Sequence, residues 1–179
     1  MRKLSHEEIL TLRKENKSKD RHPISFLLND VRSLYNVGAI FRIADGIHAE
    51  KIYLCGITGK PPHRAITKTA LGAETVVPWE YHENASTILS DLKVRGVHRV
   101  VMEHTTQSIP YFDAPFSFPV CLVVGNEVTG VDLALVELAD QAVEIPMHGE
   151  KNSLNVAVAA GIVGYQSLFA FEKTSLGVQ

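Results

Sequence analysis

The chain has 179 residues, of which 45% are hydrophobic and 21% charged. That length and balance suit one globular domain with a substantial core and exclude an intrinsically disordered chain. Two cysteines exclude a disulfide framework and a zinc spacing, and the eight histidines form no HExxH pattern, so no metal site is expected. The net charge of −2 hides an asymmetry: residues 1–100 hold 16 Lys/Arg against 11 Asp/Glu, and residues 101–179 hold 2 against 9. A phosphate backbone would be met by the first half.

Residues 1–21 read as a basic helical arm. Ser5 to Lys19 predicts an amphipathic helix with Ile9, Leu10 and Leu12 as its apolar residues, opened by Ser5 and Glu8 as a capping box. Arg2, Lys3, Arg13, Lys14, Lys17, Lys19 and Arg21 face Glu7, Glu8, Glu15 and Asp20. Such a run fits phosphate contact and a solvated basic helix equally well. No charged-then-apolar leader opens the chain, and the apolar run Val156 to Tyr165 is too short to span a bilayer. A cytoplasmic protein with no membrane contact is expected.

Residues 22–179 alternate in pattern. Strands are predicted at Ile24–Leu28, Lys51–Cys55, Glu74–Pro78, His98–Met102, Pro119–Val124 and Ala142–Ile145. Helices are predicted at Val37–His48, Ala85–Arg95, Val131–Leu138 and Ser153–Phe171. The alternation implies an α/β domain, a mostly parallel sheet with helices on both faces. Cys55 and Cys121 sit inside strand-like runs as small buried hydrophobes. No GxGxxG follows the first strand and no Walker A sequence occurs, which argues against the usual dinucleotide and phosphate-transfer folds. Gly56 to Thr69, with Gly59, Pro61 and Pro62, is the longest irregular stretch and the expected mobile one. It lies in a run from Lys51 to Ala73 with four basic residues and no acidic one, so Lys60, Arg64 and Lys68 are candidate RNA contacts.

Three segments carry more than their local structure needs. In Asn36-Val37-Gly38-Ala39-Ile40-Phe41-Arg42, Asn36 can cap the helix that Val37 begins. Ile40, Ile43, Ala44 and Ile47 make its core stripe, leaving Arg42 on the far side. Gly38 and Gly46 flank Arg42 at i−4 and i+4, and each costs a helix about 1 kcal/mol relative to alanine. That bare face suits close approach by another backbone, of RNA or of protein. In Gly125-Asn126-Glu127-Val128-Thr129-Gly130, Gly125 ends a buried strand where absent bulk admits a ligand. Thr129 and Asp132 are explained as a capping box for the next helix. Ile145-Pro146-Met147-His148-Gly149-Glu150-Lys151-Asn152-Ser153-Leu154-Asn155 runs into an apolar helix. One cap there accounts for Asn152 or Ser153, not for both, and not for Asn155 inside the first turn. Free backbone N–H groups collect at such a helix start.

The ordered triple resembles the three motifs of the SpoU/TrmH family, S-adenosylmethionine-dependent RNA ribose 2′-O-methyltransferases of the SPOUT superfamily, over residues 22–170. The resemblance implies Arg42 as the main catalytic residue with Asn36 beside it. It adds Glu127, Ser153 and Asn155 to complete the active site. Backbone around Gly125, Ile145 and Leu154 matches the cofactor-binding positions, and Ile145, Met147 and Leu154 are candidates to flank an adenine ring. The resemblance further implies a deep C-terminal trefoil knot, a rare exception to the rule against threaded chains, and a homodimer.

The expected chemistry is methyl transfer to a ribose 2′-hydroxyl of structured RNA. Because a guanidinium stays protonated, Arg42 is expected to stabilise the developing alkoxide. Ser153 and Asn155 would hold cofactor or ribose, and Glu127 would orient Asn36 or Arg42. About 20 residues precede the first strand, which favours tRNA over rRNA, whereas the tail Glu172 to Gln179 lacks a basic extension. The competing reading is a non-catalytic RNA-binding or ribosome-assembly module with the same fold. A final expectation concerns the last helix, apolar around its whole circumference, which needs a second subunit to cover it.

Overall fold

The computed structural model describes residues 1–16 and 20–175. Seven strands, β1 (His22–Asn29), β2 (Ala49–Cys55), β3 (Trp79–His82), β4 (His98–Met102), β5 (Ile109–Pro110), β6 (Val120–Val124) and β7 (Gln141–Glu144), form one sheet. The order across it is β3-β2-β1-β6-β4-β7-β5, and every pairing is parallel. Central strands read as unbroken apolar runs because both faces are covered. Ile24, Phe26 and Leu28 of β1 join Val120, Leu122 and Val124 of β6 in one core, while Leu27, Cys121 and Val123 join the other. The first core is roofed by α2 (Leu34–Gly46), α3 (Arg64–Ala70) and α6 (Val156–Ser175). The second is roofed by α4 (Ala85–Val94) and α5 (Leu133–Leu138). Cys55 and Cys121 are both buried, and burial pushes each thiol up to about 12. They are inert core groups.

The arm forms α1 (His6–Asn16), and residues 17–19 of its predicted helix lie outside the described residues. The capping box is present: the Ser5 N–H donates to Glu8 Oε2 at 2.7 Å and the Glu8 N–H to Ser5 Oγ at 3.2 Å. Arg2, then that backbone bond, holds the Glu8 carboxyl at about 2. Ile9 and Leu12 of its expected apolar side stay exposed, and the Leu10 side chain lies outside the described residues.

Several boundaries differ from the sequence reading for local reasons. Val76 and Val77 look strand-like, yet Ala73–Thr75 is a 3₁₀ turn, with Val77 N–H bonded to the Ala73 carbonyl. The edge strand is instead Trp79–His82, paired with Ile52–Cys55. The stretch expected to be irregular contains α3, capped by His63, whose Nδ1 accepts from Ala65 N–H at 3.1 Å. Seven residues with two buried positions, Ile66 and Ala70, are too few to show a helical period. The two-residue β5 is shorter than any such pattern. Asp132 stands at the N-cap of α5 without capping it, because its carboxylate accepts from Asn29 Nδ2 at 2.9 Å; the Thr129–Asp132 box does not form. Among the described residues no helix is long and apolar enough to cross a membrane.

Candidate active site

All seven strands run the same way, so their carboxyl ends share one edge, where ligands of open α/β sheets bind. Three loops converge there: from β6 (Gly125–Gly130), from β7 (Ile145–Asn155), and the turn into α2. Helix α2 starts at Leu34, three residues earlier than expected, because Ser33 is its cap; Ser33 Oγ accepts from Asn36 N–H at 3.4 Å. Asn36 is therefore released from capping. Its Nδ2 donates to Glu127 Oε1 at 2.9 Å, and its Oδ1 accepts from Asn155 Nδ2 at 3.1 Å.

Glu127 is a clamp on the start of α2. Its carboxylate also accepts from the N–H groups of Arg32 and Ser33, at 2.9 and 3.0 Å. Burial pushes this carboxyl up, but the Arg32 N–H, the Asn36 amide and the Ser33 N–H outweigh it, so its pKa lies below the ordinary value. Asn155 is equally committed. Helix α6 begins at Val156, and Asn155 is its cap, Oδ1 accepting from Ala157 N–H at 2.9 Å and Val158 N–H at 3.3 Å. The expectation that capping left Asn155 unexplained is corrected: it caps with Oδ1 and reaches Asn36 with Nδ2.

Beside this network lies a cavity of about 330 Å³, within the range of small-molecule sites. Gly125, Glu127, Ile145, Ser153, Leu154 and Asn155 all line it. Met147 does not; it is half-buried outside the lining. Gly125 has a different reason from the one expected. A Cβ there would run into the Gly130 carbonyl, because the loop closes on itself through paired Asn126–Gly130 backbone bonds of 3.0 and 2.9 Å. The glycine admits the protein's own turn, and that turn then walls the cavity.

Arg42 lies on the other side of Asn155, in an open groove with Asn36, Ala39, Lys68, Thr69 and Tyr165. It is exposed. Its flanking glycines serve this chain's own packing: Gly38 is pressed against the Ile66 carbonyl and Thr69 of α3, and a Cβ on Gly46 would meet the Tyr165 hydroxyl at 2.8 Å. Lys68 thus reaches the site, whereas Lys60 Nζ lies 3.9 Å from the centre of the Tyr81 ring and Arg64 opens α3 in solvent.

Sequence reasoning missed Glu103 and His104 after β4 and Glu144 at the end of β7, all of which line the cavity. Glu103 Oε2 accepts from Val131 N–H at 2.8 Å and so ties β4 to the Gly125–Gly130 loop. Ser108 donates to Glu144, and together with His104 holds that carboxyl below its ordinary pKa. Their positions at carboxyl ends of parallel strands were the available signal. Among the described residues no group of three His, Cys, Asp or Glu is arranged to hold a metal.

Residues 23–165 match the model of the SpoU rRNA Methylase family. The chain belongs to the SpoU methylase family. A tRNA (guanosine(18)-2′-O)-methyltransferase of Aquifex aeolicus (strain VF5) is 33% identical over 141 residues, 78% of this chain and 65% of that protein. The crystal structure of the A. aeolicus TrmH/SpoU tRNA modifying enzyme superposes with a TM-score of 0.81 at 29% identity, covering 94% of this chain and 85% of that one. An AdoMet-bound rRNA methyltransferase from Sinorhizobium meliloti superposes at 0.76 with 26% identity, covering 95% and 70%. The chain spans between 55% and 65% of the length of the first curated relatives it matches.

Proposed function

We propose that this SpoU-family chain is an RNA methyltransferase that moves a methyl group from S-adenosylmethionine to a ribose 2′-hydroxyl, with tRNA as its substrate. The observation that carries the reading is the hydrogen-bonded line Glu127–Asn36–Asn155. It joins a ligand-sized cavity on one side to the Arg42 groove on the other. The cavity fits the cofactor: Ile145, Leu154 and Val143 offer apolar walls for a purine, and the loop backbone at Gly125–Gly130 and polar groups at Ser153 surround them. Bound S-adenosylmethionine would supply an electrophilic methyl carbon whose sulfur departs as a neutral thioether, so the protein needs no acid.

What remains for the protein is alignment and charge. Asn155, fixed by its cap and by Asn36, sits where the two reactants would meet. Arg42, a guanidinium cation, stabilises the negative charge that grows on the ribose oxygen as its proton passes to water. Glu127 keeps Asn36 and the first turn of α2 in register with both. The A. aeolicus relative supports tRNA as substrate, and the S. meliloti protein supplies the rRNA alternative.

The same proposal includes the family's homodimer and knot. Supporting the dimer, Val158, Tyr165 and Phe169 form an exposed apolar stripe along α6, with half-buried Ile162 between them and exposed Leu71 beside the same groove. Supporting the knot, the chain leaves β7 on one flank of β4 and returns to lay α6 against β1 and β6. The test is nucleoside analysis of tRNA and rRNA from cells with and without the protein. Loss of one 2′-O-methylated nucleoside from tRNA is expected; loss from rRNA alone corrects the substrate. No loss from either, with no S-adenosylmethionine binding by calorimetry, identifies a non-catalytic module instead.

A further inference from the structure

Among the described residues Tyr35 makes no hydrogen bond through its ring and joins neither core. It occupies the second position of α2, where Ser33 already supplies the cap, and its neighbour Asn36 supplies the link to Glu127. The buried side of the helix is Val37, Ile40, Phe41 and Ala44; Tyr35 lies opposite, 51% exposed. On that outer side Tyr35, Ala39 and Arg42 follow one another at i, i+4 and i+7, a single helix face. Seven residues at about 1.5 Å each put Tyr35 about 10 Å from Arg42 along the helix axis. Lys68 Nζ stands 5.7 Å from the centre of the ring. The backbone under it is held, since Thr69 Oγ1 donates to the Tyr35 carbonyl at 2.9 Å.

Resting on the RNA methyltransferase reading, we propose that Tyr35 is a stacking platform for an unstacked nucleobase beside the methylated ribose, with Lys68 taking the adjoining phosphate. Sequence-tolerant capture of single-stranded or splayed RNA combines an aromatic face with a cation that tracks the backbone. Arg42 and Lys68 line the groove, and Tyr35 stands beside it, on the helix face of Arg42 and under Lys68, so the three present that combination. Two other tyrosines have a lysine over the ring, and both are committed to the fold: Tyr53 is buried, and the Tyr81 hydroxyl donates to the Gly56 carbonyl at 2.9 Å.

The test uses the full chain with radiolabelled methyl donor and total tRNA and total rRNA from cells lacking the protein, comparing Tyr35→Phe, Tyr35→Leu and Tyr35→Ala. Stacking predicts that KM for the methylated RNA rises at least about fivefold in the Leu and Ala variants and stays within about twofold in Phe, with kcat moving less. Calorimetric affinity for S-adenosylmethionine and the mass by light scattering should not change. A KM restored by leucine reduces Tyr35 to apolar cover and overturns the proposal. An unchanged KM in all three variants overturns it as well, and a change of mass makes Tyr35 a subunit contact. Should the wild-type chain methylate neither RNA while binding S-adenosylmethionine, the RNA reading itself fails and takes this proposal with it.

Discussion

Glu127 shows how one carboxylate can serve both fold and site. It accepts three hydrogen bonds, two from backbone N–H groups at the start of α2 and one from Asn36. Removing it frees Asn36 and loosens the turn that carries Arg42. Glu127→Ala is expected to lower kcat by about 100-fold, the scale on which small misplacements act, while S-adenosylmethionine affinity changes less; steady-state kinetics with calorimetry checks the split. Because the folded-state pKa of Glu127 is lowered, its contribution to stability is complete above the unfolded carboxyl value of about 4.3 and is lost as pH falls through the lower folded value. Thermal melts between neutral and acid pH should therefore show a larger loss for the wild type than for Glu127→Gln. Equal slopes would mean that the clamp is not charged.

Arg99 tests the same physics away from the site. It is 2% exposed in β4, and Asp140 meets it with Oδ2 on Nε at 2.9 Å and Oδ1 on Nη2 at 2.6 Å. Burial pushes the Asp140 carboxyl up, yet the Arg99 guanidinium and N–H bring it below the ordinary range. Asp140→Ala leaves a buried cation without its carboxylate. Because Asp140 is partly open to solvent, the cost is expected near 2 kcal/mol, below the usual range for fully buried pairs, or roughly 4–8 °C in Tm. Calorimetry measures it directly.

At the scale of elements, the decisive contact is α2 on α3. The two helices meet at Gly38, where a Cβ would strike the Ile66 carbonyl, a backbone atom that can yield only if α3 moves as a body. Gly38→Ala is expected to destabilise the chain by about 1–3 kcal/mol and to displace Lys68 and Thr69 from the groove. Melting should report the first effect and weakened RNA binding the second. Retention of wild-type RNA affinity would separate α3 from recognition. This contact also explains why α3 was hidden in the sequence. A helix of seven residues takes its stability from packing against α2, not from its own propensity or period.

For the whole molecule, charge and apolar surface divide the outer faces. Among the described residues neither Arg64 nor Lys68 is paired with a carboxylate, while Lys60 lies over Tyr81. Replacing Lys60, Arg64 and Lys68 with Ala together should weaken RNA binding and lower its salt slope by about one for each phosphate that is no longer neutralised. An unchanged slope places the RNA on another face. The α6 stripe makes a separate prediction: Tyr165→Glu, on the exposed side of the helix, should give a folded monomer where the parent is a dimer, by light scattering. A parent that is already monomeric refutes the covering role of a second subunit.

From its order of residues alone, this chain declared an α/β domain and four of that domain's helices to within a few residues, and it singled out Asn36, Glu127, Ser153 and Asn155 but not Glu103, His104 or Glu144. Those features are local: an apolar run buried on both faces, a helical period, an Asn or Ser before a helix each leave their mark within a dozen residues. Tertiary structure decided the rest. Asn36 meets Glu127 across 91 positions and Asn155 across 119, and no local pattern encodes either pairing. The duties of Asn36 and Asn155 were settled by where α2 and α6 begin, and that depended on Ser33 taking the first cap and Asn155 the second. Gly125 and Gly38 were legible as places of close approach, but what approaches, the protein's own loop and its own helix, became defined only once distant strands had paired and brought those backbones together.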